Sequence, residues 1–150
     1  MLKIYNILEK MKFLKEVATL EYEEWADKPE EDKEARIKGK IEKIKIKLKG
    51  KDFCKLILLD DDKLIGFISI FPQDCDECPK LSPWYATMYV KQEYRGQGYS
   101  KILNDAILKE ARKRGYKEIY LKTMLNDYYE KFGAIFVKKI SEEKIYKFEL

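Results

Sequence analysis

The 150-residue sequence contains no histidine. Without histidine, Ser-His-Asp and Cys-His nucleophilic catalysis are excluded, as is every metal site with imidazole ligands. A general base in this chain must therefore be a carboxylate, a lysine, a tyrosine or a water molecule held by such groups.

Cysteine is scarce, with only Cys54, Cys75 and Cys78. This odd count, with an N-terminus that lacks the apolar centre of a signal peptide, predicts a reducing cytoplasmic location rather than a disulfide framework. Cys75 and Cys78 form an isolated C-x-x-C, but a structural zinc usually takes four ligands and only Cys54 remains. We interpret all three as free thiols and expect no metal.

Long apolar runs are also missing. No stretch approaches the ~18 apolar residues that a membrane helix needs, so we expect no membrane partner. The chain is 45% hydrophobic and 39% charged, and its net charge of +4 does not by itself require an anionic polymer. This length and composition predict one globular domain over residues 1–150, acting as a monomer or a homodimer.

Charge is divided sharply between two neighbouring segments. Residues 21–34 hold eight acids and two lysines, whereas residues 36–51 hold one arginine, seven lysines and one glutamate. The basic segment could bind nucleic acid, but it lacks the interleaved aromatic residues that stack on bases. We favour two solvated helix faces of opposite sign, and we do not expect nucleic acid as a partner.

Hydrophobic periodicity predicts a chain of mixed helices and strands. Predicted helices cover residues 11–25, 30 to the forties, 99–114 and 126–132. Predicted strands cover residues 3–8, 53–59, 64–71, 84–90, 118–122, 134–140 and 144–149. Pro29 separates the first two helices, and the end of the second is ambiguous between helix and strand because Ile44, Ile46 and Leu48 alternate with lysines.

A glycine turn joins the strand that ends at Val90 to the helix that begins near Tyr99. Gly96 and Gly98 stand where the strand becomes a helix. Glycine tolerates positive φ and the close approach of a ligand, and the free N–H groups at a helix N-terminus favour an anion. Arg95 adds a guanidinium suited to phosphate oxygens. The turn therefore predicts a site for a pyrophosphate-bearing ligand.

Two common phosphate motifs do not fit this turn. A dinucleotide fingerprint needs a third glycine where the chain has Lys101, and a P-loop needs four residues between its glycines. The segment instead resembles the acetyl-CoA signature of the GNAT superfamily of N-acetyltransferases, Arg/Gln-x-x-Gly-x-Gly/Ala, as Arg95-Gly96-Gln97-Gly98-Tyr99-Ser100. Ser100 replaces the final glycine or alanine of that signature.

A second signature lies some thirty residues further on. The segment Tyr129-Glu130-Lys131-Phe132-Gly133-Ala134 resembles the GNAT sequence Tyr-Glu-Lys-x-Gly-Phe, with Ala134 at the aromatic position. The resemblance covers about Leu64 to Phe136, and residues 1–50 match no known pattern. It implies an α/β (α+β) GNAT fold with a mixed, mostly antiparallel central sheet of six or seven strands. About four helices would flank this sheet, which would be splayed at the acetyl-CoA site.

The resemblance also implies where acetyl-CoA would bind. Met88, Tyr89 and Val90 take the place of the family strand that pairs with pantetheine, and the N–H of Tyr89 or Val90 is the implied oxyanion donor. The remaining implied contacts to the cofactor are Arg95, Gly96, Gln97, Gly98, Tyr99, Ser100, Lys101 and Asn126. Whether Asn126 or its neighbour Asp127 faces the cofactor stays open.

For catalysis, the resemblance implies that Tyr129 protonates the departing CoA thiolate, with Tyr128 as the packing residue, although the two could be reversed. The base is less well defined, because the strand over residues 84–90 contains no glutamate. Asp74 is the nearest carboxylate, and a water relay is the alternative. The acceptor would be a primary amine on a small molecule, a peptide N-terminus or a lysine. The acids of the predicted N-terminal helix and of the loop at residues 74–77 suggest a cationic amine.

Two other functions remain compatible with the sequence. The chain could be a GNAT-fold protein that binds CoA as a regulatory ligand without turnover. It could instead be a nucleic-acid or ribosome-associated module that uses the basic segment at residues 36–51, in which case binding would depend on salt.

Overall fold

A computed structural model describes residues 1–26 and 31–150. Its seven strands are β1 (Leu2–Asn6), β2 (Cys54–Asp60), β3 (Lys63–Phe71), β4 (Trp84–Val90), β5 (Glu118–Thr123), β6 (Ile135–Ile140) and β7 (Glu143–Glu149). Its α-helices are α1 (Leu14–Trp25), α2 (Lys33–Lys47) and α3 (Tyr99–Lys113). The predicted break at Pro29 and the predicted helix start at Glu30 lie outside the described residues.

The strands form one open sheet in the order β1-β2-β3-β4-β5-β7-β6. Every neighbouring pair is antiparallel except β4 and β5, which are parallel and are connected through α3. A parallel pair needs such a crossover because its two strands run in the same direction. The mixed, mostly antiparallel sheet predicted from the sequence is confirmed.

Helices cover both faces of this sheet. On β2, Leu56 and Leu58 pack in one apolar cluster with residues of α3, whereas Ile57 and Leu59 pack with α1 and α2. Successive side chains of a strand point to opposite faces, so burial on both sides requires a continuous apolar run. Among the described residues, no helix has the length and hydropathy needed to cross a bilayer.

The segment with the ambiguous pattern is the last part of helix α2. Ile44 and Leu48 are buried, while Ile46 is 67% exposed. Residues four apart share a helix face, so Ile44 and Leu48 face the core while Ile46 points away from it. Two of the acids of α1 also pair with lysines of α2, Lys33 with Glu23 and Lys40 with Glu21.

Two details of the predicted helices are wrong. The apolar spacing over residues 99–114 predicts that Ile102 faces the core, but it is 37% exposed, whereas Asn104 is buried. Asn104 is tolerated there because its side-chain oxygen accepts a hydrogen bond of 2.8 Å from the Tyr85 hydroxyl. The predicted fourth helix at residues 126–132 is only a 3-10 turn, Tyr129–Phe132.

Gly66 lies where β3 passes very close to the end of β4. A Cβ atom at this position would lie 2.3 Å from the Tyr89 carbonyl oxygen and 3.1 Å from Leu103 Cδ1. The first distance is far below van der Waals contact and involves backbone, so the strand would have to move. Gly66 thus allows β3, β4 and α3 to meet directly beside the glycine turn.

We expect Gly66→Ala to lower the free energy of unfolding by about 1–3 kcal/mol, the usual cost of overpacking. Gly39→Ala is the matched control, because Gly39 lies in α2 with no atom within 4 Å of its added Cβ. That control should stabilise the protein by about 0.5–1 kcal/mol, since alanine is the better helix former. Urea unfolding of both variants measures the two changes, and an unchanged Gly66→Ala midpoint would contradict the close approach.

Candidate active site

The sheet opens between β4 and β5. Among the described residues, these strands pair only through Trp84 and Tyr120, and β4 continues to Val90 without a strand on that side. The free edge leaves backbone N–H and C=O groups that an extended ligand can use. A cavity of about 600 Å³ occupies the gap, lined by residues of both strands and of α1 and α2. We call it the inter-strand cavity.

A β-bulge in β4 lies at the edge of this cavity. The register between β3 and β4 shifts between Phe67 and Ser69, and Thr87 has a φ of 49°. Positive φ is unfavourable for a β-branched residue and persists only where surrounding contacts impose it. Such bulges re-aim side chains beside active sites, and here Thr87 and Met88 line the inter-strand cavity.

A buried polar network holds the bulge. The Lys55 ammonium donates to Glu21 Oε2 at 2.8 Å and to Ser69 Oγ at 2.5 Å, and it lies 3.4 Å from Thr87 Oγ1. The Ser69 and Thr87 hydroxyls are 2.6 Å apart. Lys55 is fully buried and Glu21 is 4% exposed. The network therefore links α1, β2 and β3 to the bulge in β4.

This network was not predicted from the sequence, although charged residues at two core positions of the sequence indicated it. Lys55 interrupts the otherwise apolar strand that begins at Cys54, and Glu21 follows Val17 and Ala18 at helical spacing on the buried side of α1. A charge at a core position needs a partner of opposite sign, so the two residues could have been matched. Burial lowers the pKa of Lys55, and the neighbouring Glu21 carboxylate opposes that change.

Tyr129 lines the inter-strand cavity. Its ring packs edge-on against Tyr85, with centroids 5.8 Å apart. Burial, and to a smaller extent Tyr128, raises the pKa of Tyr129 to about 12. Within residues 1–26 and 31–150, its hydroxyl forms no hydrogen bond. The phenol is therefore protonated at neutral pH and available to a bound molecule.

Asp74 lies in the loop after β3 and lines the same cavity. Burial raises the pKa of its carboxyl group, Lys122 and Lys47 lower it, and Glu143 raises it further. A carboxyl group whose pKa is raised toward the operating pH is a better proton acceptor than an exposed aspartate. The structure thus brings Asp74, Met88 and Tyr129 to one cavity.

The glycine turn lies beyond the other end of the free β4 edge. Gly96 and Gly98 have φ values of 79° and 84°, which favour glycine. Gly98 is the N-cap of α3, and no side chain caps the first N–H groups of the helix. Among the described residues, and apart from its chain neighbours, no atom lies within 4 Å of a Cβ added at Gly98. That space is open to a ligand, and the first N–H groups are free to bind an anion.

The remaining predicted cofactor contacts do not line the cavity. Arg95 folds back on β4, where Nε donates to the Val90 carbonyl at 2.8 Å and the guanidinium lies over the Tyr89 ring. Lys101 pairs with Asp105 on α3. The side-chain oxygen of Asn126 accepts a hydrogen bond from Lys144. Gln97 and Ser100 belong to the turn and to the first turn of α3.

Cys54, Cys75 and Cys78 are free thiols, as expected. Cys78 is buried against Trp84 and Tyr120, so it packs as a small apolar residue. Across the described part of the chain, no group of three or more Cys, Asp or Glu side chains is placed to hold a metal ion.

The family model for the acetyltransferase (GNAT) family matches residues 4–134 of the chain. A curated relative, N-alpha-acetyltransferase 30 of Schizosaccharomyces pombe, is 33% identical over 89 residues. That alignment covers 56% of this chain and 59% of the relative, so it spans little more than half of either protein.

Solved structures show the same fold over nearly the whole chain. The PaiA N-acetyltransferase of Thermoplasma acidophilum, solved in complex with coenzyme A, superposes with a TM-score of 0.68 and 22% identity, covering 100% of this chain and 99% of its own. An acetyltransferase of Streptococcus agalactiae superposes with a TM-score of 0.69 and 17% identity, covering 99% and 98%.

Proposed function

Because the chain belongs to the acetyltransferase (GNAT) family, we propose that it transfers the acetyl group of acetyl-CoA to a primary amine. The observation that carries this proposal is the free edge of β4, which runs from the inter-strand cavity to the uncapped N-terminus of α3. A long ligand with an extended thiol arm and a pyrophosphate can use both ends of this edge at once.

The glycine turn supplies the pyrophosphate end of the proposed site. Backbone N–H groups at the start of α3 and the positive end of its dipole favour the anion. The Arg95 guanidinium, held at the end of β4 against the Val90 carbonyl, adds a second positive group to the same turn. The residues Met88, Tyr89 and Val90 offer backbone groups to the thiol arm. An N–H of Tyr89 or Val90 is our candidate for stabilising the negative charge that develops on the thioester oxygen.

The cavity end supplies the chemistry. The amine nitrogen forms a bond to the acetyl carbon as the C–S bond breaks, and the sulfur leaves with the electron pair. Asp74, directly or through water, takes the proton that the amine loses. Tyr129 donates the proton that the thiolate gains, so the products are an acetamide and CoA thiol. The raised pKa of each group supports its role, since Asp74 becomes a better acceptor and Tyr129 keeps its proton.

Acetyl-CoA binding tests the proposal directly. We expect acetyl-CoA to raise the melting temperature of the protein, as mass action requires of a ligand that binds only the native state. Gly98→Val should raise the acetyl-CoA Kd at least tenfold, about 1.4 kcal/mol, because the side chain would occupy the space beside the first N–H groups of α3. Isothermal titration measures the change.

Gly115→Val is the matched control for Gly98→Val. Gly115 follows the other end of α3 and has a φ of 86°, so valine meets the same backbone strain far from the turn. Both variants should lose similar stability, and only Gly98→Val should lose acetyl-CoA affinity. Equal affinity in the two variants would remove residues 95–100 from the cofactor site, and no melting shift in the wild type would overturn the proposed function.

A further inference from the structure

Two lysines of α2 face the inter-strand cavity without a carboxylate partner. Lys43 and Lys47 are four residues apart, on one side of the helix, and both line the cavity. Within residues 1–26 and 31–150, neither forms an ion pair. The Lys47 ammonium lies 5.5 Å from the centroid of the Phe71 ring and 5.9 Å from that of Phe53. A bound molecule therefore meets two positive charges here.

The third α2 lysine in the cavity is already engaged. Lys40 lies 3.6 Å from Glu21, whose other oxygen accepts from the buried Lys55. One carboxylate thus has two cations beside it, and Glu21 adds no net negative charge to this side of the cavity. Acceptors that carry only positive charge gain nothing from α2 and are repelled by Lys43 and Lys47.

Two carboxylates supply negative charge to the same cavity. Asp74 and Glu143 line the cavity together with Lys122. Lys47 is close enough to Asp74 to lower the pKa of its carboxyl group. The anionic and cationic groups of the cavity are therefore neighbours, and a short molecule with one charge of each sign can contact both.

From this arrangement we infer that the acceptor is a small primary amine that also carries an anionic group, a carboxylate or a phosphate, bound by Lys43 and Lys47. The amine end lies toward Asp74 and Tyr129, and the anion lies toward α2. This inference rests on the proposed acetyl transfer. It replaces the expectation of a cationic acceptor, which came from acids counted along the sequence without regard to their partners.

A series of amines matched in length tests the inference. The probes are 4-aminobutyrate, n-butylamine and 1,4-diaminobutane, together with homologues of two to six methylenes, and release of CoA thiol is the readout. We expect kcat/KM for the amino acid to exceed that for the alkylamine by about tenfold or more, with the diamine slowest. The phosphonate analogue 3-aminopropylphosphonate distinguishes a phosphate site from a carboxylate site.

Variants on α2 locate the effect. Lys43→Gln and Lys47→Gln should each lower the ratio of kcat/KM between 4-aminobutyrate and n-butylamine by about tenfold, mainly through KM, as a charge-assisted contact is lost. Lys45→Gln is the control, because Lys45 lies on the same helix, does not line the cavity and pairs with Glu42 at 3.5 Å. It should keep the wild-type ratio.

Several results would overturn the inference while leaving the acetyl-CoA site in place. They are equal or faster turnover of the alkylamine or diamine, an unchanged ratio in both cavity variants, and no turnover of any probe by protein that acetyl-CoA stabilises. The inference would also be overturned if the protein acetylated the N-terminus of a peptide without charged side chains faster than every small amine. Failure of acetyl-CoA to stabilise the protein is a separate result, and it rejects the proposed function itself.

Discussion

Tyr129→Phe is expected to bind acetyl-CoA with wild-type affinity and to lose about 10²–10⁴-fold in kcat, the usual contribution of a general acid. The hydroxyl forms no hydrogen bond within the described residues, so its removal should hardly change stability. The ring and its edge-on contact with Tyr85 remain. A group used only in the transition state lowers kcat and kcat/KM together, and steady-state assays of thiol release measure both.

Tyr128→Phe is the matched control for Tyr129→Phe. The two rings are in contact, with centroids 4.8 Å apart, but of the two tyrosines only Tyr129 lines the inter-strand cavity. Loss of the Tyr128 hydroxyl should leave turnover near the wild-type level. Turnover by Tyr129→Phe within a factor of three of wild type would show that Tyr129 only packs. The leaving thiolate would then take its proton from water or from the ammonium group.

Glu21→Gln should lower the free energy of unfolding by about 3–5 kcal/mol, because it leaves the fully buried Lys55 ammonium without its counter-ion. Replacing both charges, as Glu21→Leu with Lys55→Met, should restore much of this loss, since no unpaired charge remains. Ser69 and Thr87 would still hydrogen bond to each other in the double variant. Denaturant unfolding measures all three proteins.

The loss of unfolding free energy in Glu21→Gln should become smaller as the pH rises. The pKa of Lys55 in the folded protein is below its ordinary value of 10.5, so the unfolded state binds more protons and stability rises with pH up to that value. Glu21 raises this pKa, so the pKa of Lys55 is lower still in Glu21→Gln. The difference in unfolding free energy between Glu21→Gln and wild type should therefore shrink as the pH approaches 10.5, where Lys55 loses its charge in both proteins.

Glu42→Gln is the control for the buried pair. Glu42 forms an exposed ion pair with Lys45 at 3.5 Å, and such pairs contribute about 0–1 kcal/mol. A Glu21→Gln variant no less stable than Glu42→Gln would mean that Lys55 is not held as a buried cation.

The central strands β2, β3 and β4 could be predicted from the sequence because they are nearly continuous apolar runs, and β2 and β3 are buried along most of their length. The run from Trp84 to Val90 was predicted with its exact ends, and the other strands differ by one or two residues. The glycine turn was also located, since positive φ and a helix start leave a clear local signal in Gly96 and Gly98.

The sequence could not predict the charge of the inter-strand cavity. Lys43, Lys45 and Lys47 look alike along the chain, but the helix directs the first and third into the cavity and the second toward Glu42. Glu21 counts as an acid in sequence yet is neutralised by Lys55, a residue on another element. Such pairings are tertiary, and no local pattern encodes them.

The single point of pairing between β4 and β5 also bears on how the protein unfolds. In the described part of the chain, strands β1 to β4 form one ladder and β5 to β7 another, and only Trp84 and Tyr120 are strand partners across the two. Ladders with so few shared hydrogen bonds are natural units of partial opening. A ligand that lies in the gap contacts both ladders, so its binding would make them open together as one cooperative unit. Amide hydrogen exchange would then slow even in strands that the ligand does not touch.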